Sequence, residues 1–286
     1  MIPYEFDYYR PDTIQEAVDL SKHLKTSGQK AIYYGGGTEF ITMARLNNIY
    51  VDAIIDIKNI PECNVYEIDG DELIVGSAIT LTHIAEMRLF PLLSMAAHRV
   101  ADHTVRGKIT LGGNLAGSII YKETSLPLLV ANSDILIGKI AQIKRIPFNE
   151  YWSKSPEEKK GDLIIQLIID KRYLALPHAH VKRTKNEKIG YPLVSIAALK
   201  DGENINIAFS GICDVPFRSK DIEKALNDST VSKDERIHNM LENIPFEILD
   251  DLGGAMEYRK FMLSKVVEDM VEAFEGGDGH AQNIWH

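Results

Sequence analysis

Two glycine loops carry the residues best suited to chemistry. The first is Gly35-Gly36-Gly37-Thr38-Glu39. With no Cβ in the way, its backbone N–H groups can close on an anion, the Thr38 hydroxyl adds a donor, and the Glu39 carboxylate can accept from a sugar or a ring. The pattern suits a phosphate cradle, and a tight turn that touches no ligand is the competing reading. Neither common nucleotide motif is present. A P-loop would end in Gly-Lys-Ser/Thr, and the GxGxxG pattern would need glycine at Phe40. The second loop lies about 75 residues further on, in Val105-Arg106-Gly107-Lys108-Ile109-Thr110-Leu111-Gly112-Gly113-Asn114-Leu115. Thr110 and Asn114 flank Gly112-Gly113, so two donor-rich loops could grip the two phosphates of one dinucleotide from opposite sides. The alternative is that Gly112-Gly113 only permits close chain packing, with Arg106 and Lys108 as solvated charges.

Other candidates are weaker. His178-Ala179-His180 puts two imidazoles on one strand face, but a metal needs a third ligand that the sequence does not offer nearby, so surface or partner contacts are expected and no metal site is nominated. Lys182, Arg183, Lys185 and Lys188 form a basic cluster that reads as a solvated loop or as a contact for an acidic partner. No Ser/His/Asp or Cys/His nucleophile arrangement follows from spacing, and no catalytic residue is nominated. Cys63 and Cys213, 150 positions apart, supply neither a disulfide framework nor a zinc or iron–sulfur ligand set within this chain.

The elements that must position these loops are legible. Thr13 and Glu16 form a capping box ahead of a helix whose Ile14, Ala17, Val18 and Leu24 share one face, and Gly28 stops it. Ala31–Tyr34 is strand-like and enters the first loop, after which 41–46 turns helically. Residues 51–57 form a second apolar strand, and 65–68 pairs with 72–75 through Asp69-Gly70 as a hairpin. A helix is expected from about 81 to 101, β-like runs at 140–143 and 163–169, and an exposed loop at 153–161. Beyond a boundary near 170 come strands at 179–182, 194–199 and 205–209, the last two joined by Asp201-Gly202. Three helical segments close the chain, the last spanning 256–274 with Met256, Leu263, Val266, Val267, Met270 and Phe274 at helical spacing, before a polar tail.

The 286 residues, 45% hydrophobic and 26% charged, fit two or three compact units. With 32 Lys+Arg against 41 Asp+Glu the net charge is −9, which argues against a nucleic-acid binder relying on phosphate neutralisation. No run approaches the roughly 18–20 apolar residues of a membrane span, and Met1–Asp7 lacks a basic flank and apolar stretch, so a soluble, unprocessed chain is expected; two cysteines without a disulfide framework fit a reducing cytoplasm.

Taken in order, Gly35-Gly36-Gly37-Thr38-Glu39, Thr110-Leu111-Gly112-Gly113-Asn114-Leu115 and Lys182 with Tyr191-Pro192-Leu193-Val194-Ser195-Ile196-Ala197 resemble the FAD-binding (medium) subunit of molybdenum hydroxylases. This family includes the flavoprotein subunits of xanthine, nicotinate and carbon monoxide dehydrogenases. The similarity runs from Tyr4 to about Phe274 and includes Val215-Pro216-Phe217-Arg218-Ser219 and Met256-Glu257-Tyr258-Arg259-Lys260. It implies an α+β protein: a PCMH-type FAD-binding domain over 1–170, made of two α/β subdomains (about 1–58 and 59–170), and a C-terminal domain over 171–286 with a small antiparallel sheet packed by helices. By position, Gly35, Gly36, Gly37 and Thr38 would contact the FAD pyrophosphate and Glu39 the ribityl or a neighbouring part of the flavin. Thr110, Gly112, Gly113 and Asn114 would form the second wall. Lys182 resembles the lysine near the isoalloxazine, where a positive charge would favour reduced, anionic flavin; a solvated or salt-bridged Lys182 is the alternative.

One departure stands out. The family usually carries an acidic run ending in Asp-Leu-Pro, and here the stretch is Tyr121-Lys122-Glu123-Thr124-Ser125-Leu126-Pro127, with Ser125 where the Asp often stands and Glu123 as its substitute. Arg106-Gly107-Lys108 departs similarly from an Arg-Asn pattern. The resemblance implies an electron-transfer oxidoreductase subunit that passes electrons from iron–sulfur clusters to NAD⁺ or another acceptor. A (2Fe-2S) iron–sulfur subunit and a molybdopterin-binding subunit would be its partners. A self-sufficient FAD oxidoreductase and a flavin-free assembly module are the alternatives.

Overall fold

The computed structural model describes residues 1–140, 142–185 and 190–276; Lys188 of the basic cluster and the expected polar tail lie outside them. The chain opens with strand β1 (Asp7–Tyr9) and helix α1 (Ile14–Thr26). Thr13 caps α1 by accepting the Glu16 N–H at 3.2 Å, while the Glu16 carboxylate takes the Asp12 N–H at 2.9 Å, one residue ahead of the cap. Ile14, Ala17, Val18 and Leu24 are its buried residues, the stripe their spacing predicts. Strand β2 (Ala31–Tyr34) enters the first glycine loop, helix α2 (Thr38–Arg45) leaves it, and β3 (Ala53–Asp56) follows. The three strands form a parallel sheet with β3 in the centre, Tyr9 and Tyr33 both opposite Ile55.

The hairpin appears as β4 (Tyr66–Asp69) and β5 (Glu72–Gly76), with Asp69 opposite Glu72 and Gly70 at φ 58° in the turn. The long helix expected from 81 to 101 is instead two, α3 (Leu81–Met87) and α4 (Pro91–His98). Arg88 turns left-handed at φ 53° and Pro91, which has no N–H to continue a ladder, starts the second helix at its first turn. Short helices α5 (His103–Arg106), α6 (Leu111–Ala116) and α7 (Ser125–Val130) precede strands β6 (Asp134–Lys139) and β7 (Gln142–Pro147). The stretch expected as an exposed loop holds the end of α8 (Phe148–Ser153) and the one-turn α9 (Pro156–Lys159), closed by a Ser155/Glu158 capping box. Strand β8 (Leu163–Asp170) then inserts between β5 and β6, giving a five-stranded antiparallel sheet in the order β4-β5-β8-β6-β7. Its central place explains why it is buried from Leu163 to Ile169, apolar except for Gln166, whose amide donates to the Glu62 carbonyl at 3.0 Å.

The remaining strands, β9 (His178–Thr184), β10 (Pro192–Asp201), β11 (Asn204–Ser210) and β12 (Phe217–Arg218), form an antiparallel sheet in the order β12-β11-β10-β9. Asp201 pairs with Asn204 around Gly202, the hairpin read from Asp201-Gly202. Helices α10 (Lys220–Leu226), α11 (Lys233–Glu242) and α12 (Met256–Glu275) follow, and Leu263, Val266, Val267, Met270 and Phe274 of α12 join the core of this sheet. Two arginines within the resembling C-terminal motifs are structural. Arg259 is 1% exposed and donates to the carbonyls of Leu193, Gly211 and Gly254 and to Asp251, while buried Arg218 donates to Glu223 at 2.6 Å.

The described residues form two compact units. The first comprises Met1–Leu89, Asp102–Gly117 and Asn132–Lys171, and the second comprises Phe90–Ala101, Ser118–Ala131 and the described residues from Arg172 onward. In the first, α1 lies between the two sheets, touching β2 and β3 on one side and β6 on the other. A Cβ on Gly138 of β6 would sit 3.2 Å from Val18, so this strand meets the helix at close range. Phe40, Ala44, Val51 and Ile54 make a second core with Tyr4, Phe6 and Tyr34, which seats α2 and hence the end of the first glycine loop. In the second unit α7 is buried throughout and packs on β10, β11 and β12. No described helix is long and apolar enough to cross a membrane.

Candidate functional site

The first glycine loop joins β2 to α2. Gly37 is the N-cap residue, left-handed at φ 70°, and no side chain caps the helix. The ladder of α2 begins with the Ile41 N–H donating to the Gly37 carbonyl at 2.9 Å, so the N–H groups ahead of Ile41 have no carbonyl within the helix. A helix start of this kind, with its partial positive charge, accommodates an anion. Thr13, Thr80, Asp102, Thr110, Ser155, Ser219 and Ser232 each cap the helix they precede, whereas α2 shares the lack of a side-chain cap with α4, α7, α8 and α12 and differs from these four in starting at a left-handed glycine.

The second loop lies directly against the first. A Cβ on Gly35 would come within 2.6 Å of the Thr110 hydroxyl, and one on Gly36 would run into the Lys108 carbonyl oxygen. One on Gly117, at the end of α6, would meet the Glu39 carboxylate. Yet the backbone donors of the second loop are spent. Leu111 N–H goes to Ile79 O (2.9 Å), Gly112 N–H to Ser77 O (2.9 Å), Gly113 N–H to Thr110 Oγ1 (3.2 Å) and Asn114 N–H to Thr110 O (2.9 Å). Gly112 is buried against Ser77, whose Cβ would lie 2.7 Å from a Cβ on the glycine. Close packing therefore accounts for Gly112, and capping for Thr110.

Three residues not singled out in the sequence complete this region. Asp56, 2% exposed at the end of β3, accepts from the Tyr8 hydroxyl, from the Lys58 backbone N–H at 3.0 Å and from Lys58 Nζ at 2.7 Å. Burial pushes its carboxyl pKa up, but the hydrogen bonds from Lys58 and Tyr8 and the Lys58 charge outweigh this and hold it below the usual value. Lys58 Nζ also donates to the Gly35 carbonyl at 3.0 Å and sits 4.5 Å from the centre of the Tyr34 ring. The only sequence signal was an aspartate closing an apolar strand.

Glu123 and Lys182 are together in the second unit. Glu123 precedes α7 and Lys182 lies on β9; their side chains are 5% and 6% exposed and meet at 2.8 Å, so the salt-bridged alternative for Lys182 is the observed one. Lys182 Nζ also donates to Arg99 O at 2.9 Å. Burial raises the Glu123 pKa, opposed first by Lys182, then by the Ser195 hydroxyl, which is near without meeting hydrogen-bond geometry, and by Arg99. His180 is fully buried; burial first, then the Arg99 and Lys182 charges, holds its pKa well below the usual value and keeps it neutral. Its Nδ1 lies 3.1 Å from Arg99 Nη1, a donor, which assigns the ring proton to Nε2. His178 is buried too, its Nδ1 2.9 Å from Leu176 O, so both histidines are core residues rather than the surface contacts expected. Among the described residues no group of three His, Cys, Asp or Glu side chains could hold a metal. Cys63 and Cys213 are free and buried, and burial pushes their thiols up to about 11 and about 12. Ser125 is fully buried in the first turn of α7, and its hydroxyl has no hydrogen-bond partner among the described residues.

Residues 4–171 match the family model described as the FAD binding domain in molybdopterin dehydrogenase. The chain belongs to this family. Its members are subunits of oxidoreductases and their cofactor is FAD. The glyceraldehyde dehydrogenase medium chain of Sulfolobus acidocaldarius is 27% identical over 253 residues, 81% of this chain and 86% of that one. The carbon monoxide dehydrogenase medium chain of Hydrogenophaga pseudoflava is 35% identical over 122 residues, 41% of each chain. Among solved structures, quinoline 2-oxidoreductase from Pseudomonas putida matches with a TM-score of 0.82 at 18% identity, over 96% of this chain and 98% of that one, a likeness of fold. The mixed α/β architecture is thus that of flavoprotein subunits of molybdenum hydroxylases. The residues present fit the cofactor's diphosphate: an uncapped helix start, a left-handed glycine and a lysine ammonium converge at the first loop.

Proposed function

We propose that this chain is the FAD-binding electron-transfer subunit of a molybdenum-containing hydroxylase or dehydrogenase, with its iron–sulfur and molybdopterin sites on partner chains and NAD⁺ or another carrier as final acceptor. The observation that carries the reading is the uncapped, glycine-led start of α2 within the family-matched region. Gly36, Gly37 and Thr38 present backbone donors to the pyrophosphate, Gly35 brings the loop against Thr110, and Glu39 faces the sugar-alcohol side of the cofactor. The second loop contributes as a wall. Its glycines allow the approach, while its backbone donors are committed within the chain and Thr110 is buried as the cap of α6. The two sheets of the first unit represent the two α/β subdomains of the PCMH-type domain, and the second unit the C-terminal domain, extended by 90–101 and 118–131.

Bound FAD supplies the redox chemistry, accepting electrons and passing them on. The chain's residues bind and tune. The charge of Lys182 is compensated by Glu123, so the residue that resembles the family's lysine is one half of a buried ion pair rather than a bare cation. Removing Glu123 alone would leave an ammonium in a buried site, a change that typically costs about 3–5 kcal/mol. The two cysteines, both free and buried, are too few for an iron–sulfur ligand set, which supports cluster sites on separate partner chains.

The visible absorption spectrum of the purified chain, before and after added FAD, tests the reading together with Thr38→Asp. A carboxylate in the first turn favours the helix dipole and repels a diphosphate, so the variant should keep or raise its melting temperature while losing about 100-fold in FAD affinity. A wild-type chain that stays colourless at saturating FAD would turn the assignment toward an assembly module. Substrate turnover by the isolated chain would favour a self-sufficient oxidoreductase.

A further inference from the structure

Lys58 has an unused donor beside the first glycine loop. An ammonium carries three N–H groups. One donates to Asp56 Oδ2 at 2.7 Å and one to the Gly35 carbonyl at 3.0 Å, and the third has no acceptor among the described residues. The side chain is 42% exposed although its partner Asp56 is 2% exposed, so the charged end is open to a ligand while its base is fixed. The Tyr34 ring beneath it and the Asp56 carboxylate, itself held by the Tyr8 hydroxyl and the Lys58 backbone N–H, limit where that end can go.

The contact with Gly35 has a stereochemical consequence. In a planar trans peptide the C=O and the following N–H point in opposite directions. Holding the Gly35 carbonyl toward Lys58 therefore turns the Gly36 N–H away from it, and sets the first peptide of the loop in one of its two flipped orientations. Glycine pairs flip easily because φ and ψ are barely restricted, so an external anchor matters here more than it would in a strand. Asp56 meanwhile keeps the ammonium in place without pairing with an arriving anion, because its two oxygens already receive Lys58 and Tyr8.

We propose that Lys58, anchored by Asp56 and Tyr8, recognises the diphosphate of FAD, neutralising it with its third N–H and fixing the orientation of the Gly35–Gly36 peptide. This rests on the reading of the first loop as the pyrophosphate cradle. It makes Lys58 a determinant of preference for the dinucleotide over riboflavin, because riboflavin lacks the group that Lys58 recognises.

The test is titration of the flavin-stripped full-length chain with FAD and with riboflavin, for wild type, Lys58→Met and Lys58→Arg. Lys58→Met keeps an unbranched stem over Tyr34 and removes the charge. It should weaken FAD about tenfold, about 1.4 kcal/mol, and leave riboflavin affinity unchanged at a temperature where the chain is folded, while lowering the melting temperature because the buried Asp56 loses its counter-charge. Lys58→Arg should retain FAD within about threefold, since a charged donor remains. The proposal is overturned if Lys58→Met leaves FAD affinity unchanged, if it weakens FAD and riboflavin equally, or if Lys58→Arg loses as much as Lys58→Met. The Thr38→Asp chain serves as the control for the underlying reading. If that variant loses FAD while Lys58→Met does not, the cradle stands and the role of Lys58 falls; if Thr38→Asp binds FAD like wild type, the cradle assignment itself is wrong.

Discussion

The two glycine loops have nearly the same ingredients and opposite hydrogen-bond economies. In the second, Thr110 precedes the glycines, caps α6 and receives the Gly113 and Asn114 N–H groups, while Ser77 and Ile79 take those of Gly112 and Leu111. In the first, Thr38 follows the glycines and falls inside α2, where its hydroxyl cannot cap, and the cap position goes to Gly37, which has no side chain. The order of hydroxyl and glycine thus separates a loop that satisfies itself from one that leaves donors for an anion. A glycine pair says that something comes close. In the second loop it is the chain itself.

The sharpest way to break this comparison is to add a methyl to each loop. Gly36→Ala drives a Cβ into the Lys108 carbonyl oxygen, and backbone cannot step aside as a side chain can. The expected loss is about 3 kcal/mol, read as a lowered denaturation midpoint, at the upper end of overpacking penalties. Gly113→Ala is exposed and helical, meets only the Thr110 hydroxyl at 2.9 Å, and gains helix propensity, so it should stay within about 1 kcal/mol of wild type. Equal losses would mean that the two loops are packed alike.

A smaller effect sharpens the capping assignment. Thr110→Ala should cost about 1 kcal/mol by removing the cap of α6, with Thr110→Ser recovering most of it. FAD affinity should fall far less than in Thr38→Asp, because the second loop's backbone donors do not serve the ligand. A loss of FAD affinity in Thr110→Ala as large as in Thr38→Asp would move the anion site to the second loop.

The smallest effect concerns pH. Asp56 is held below its usual value of 3.8 in the folded chain, so its contribution to stability is present above that value and is lost as the pH falls through the lower folded value. Asp56→Asn should therefore be less stable than wild type near neutrality, and the difference should shrink in acid below about pH 4. A difference constant from neutral pH down into that range would mean that Asp56 is not ionised in the clamp, and the anchoring of Lys58 would lose its basis.

Much of this was legible along the chain. The apolar face of α1, the strand entering the first loop, the Asp69-Gly70 and Asp201-Gly202 hairpins and the buried stripe of α12 are local patterns whose period or turn chemistry decides the structure. The break between α3 and α4 was marked by Pro91 but lost in an apolar stretch that reads as continuous helix. The short α9 escaped because a charged segment resembles a loop unless its Ser155/Glu158 spacing is weighed. The entry of 90–101 and 118–131 into the second unit has no local signature, since a boundary read from composition is a single point on a line.

The sequence by itself determined where glycines must lie, which residues could meet phosphate, and the resemblance that named FAD. Tertiary structure decided who was already engaged. It joined Glu123 to Lys182 across 59 positions, buried His180 beside Arg99, and brought Lys58 to the Gly35 carbonyl from 23 residues away. The physical reason is that a hydrogen-bond donor or charge has meaning for a ligand only after its protein partners have been counted. Those partners arrive through folding from distant segments that no spacing rule connects.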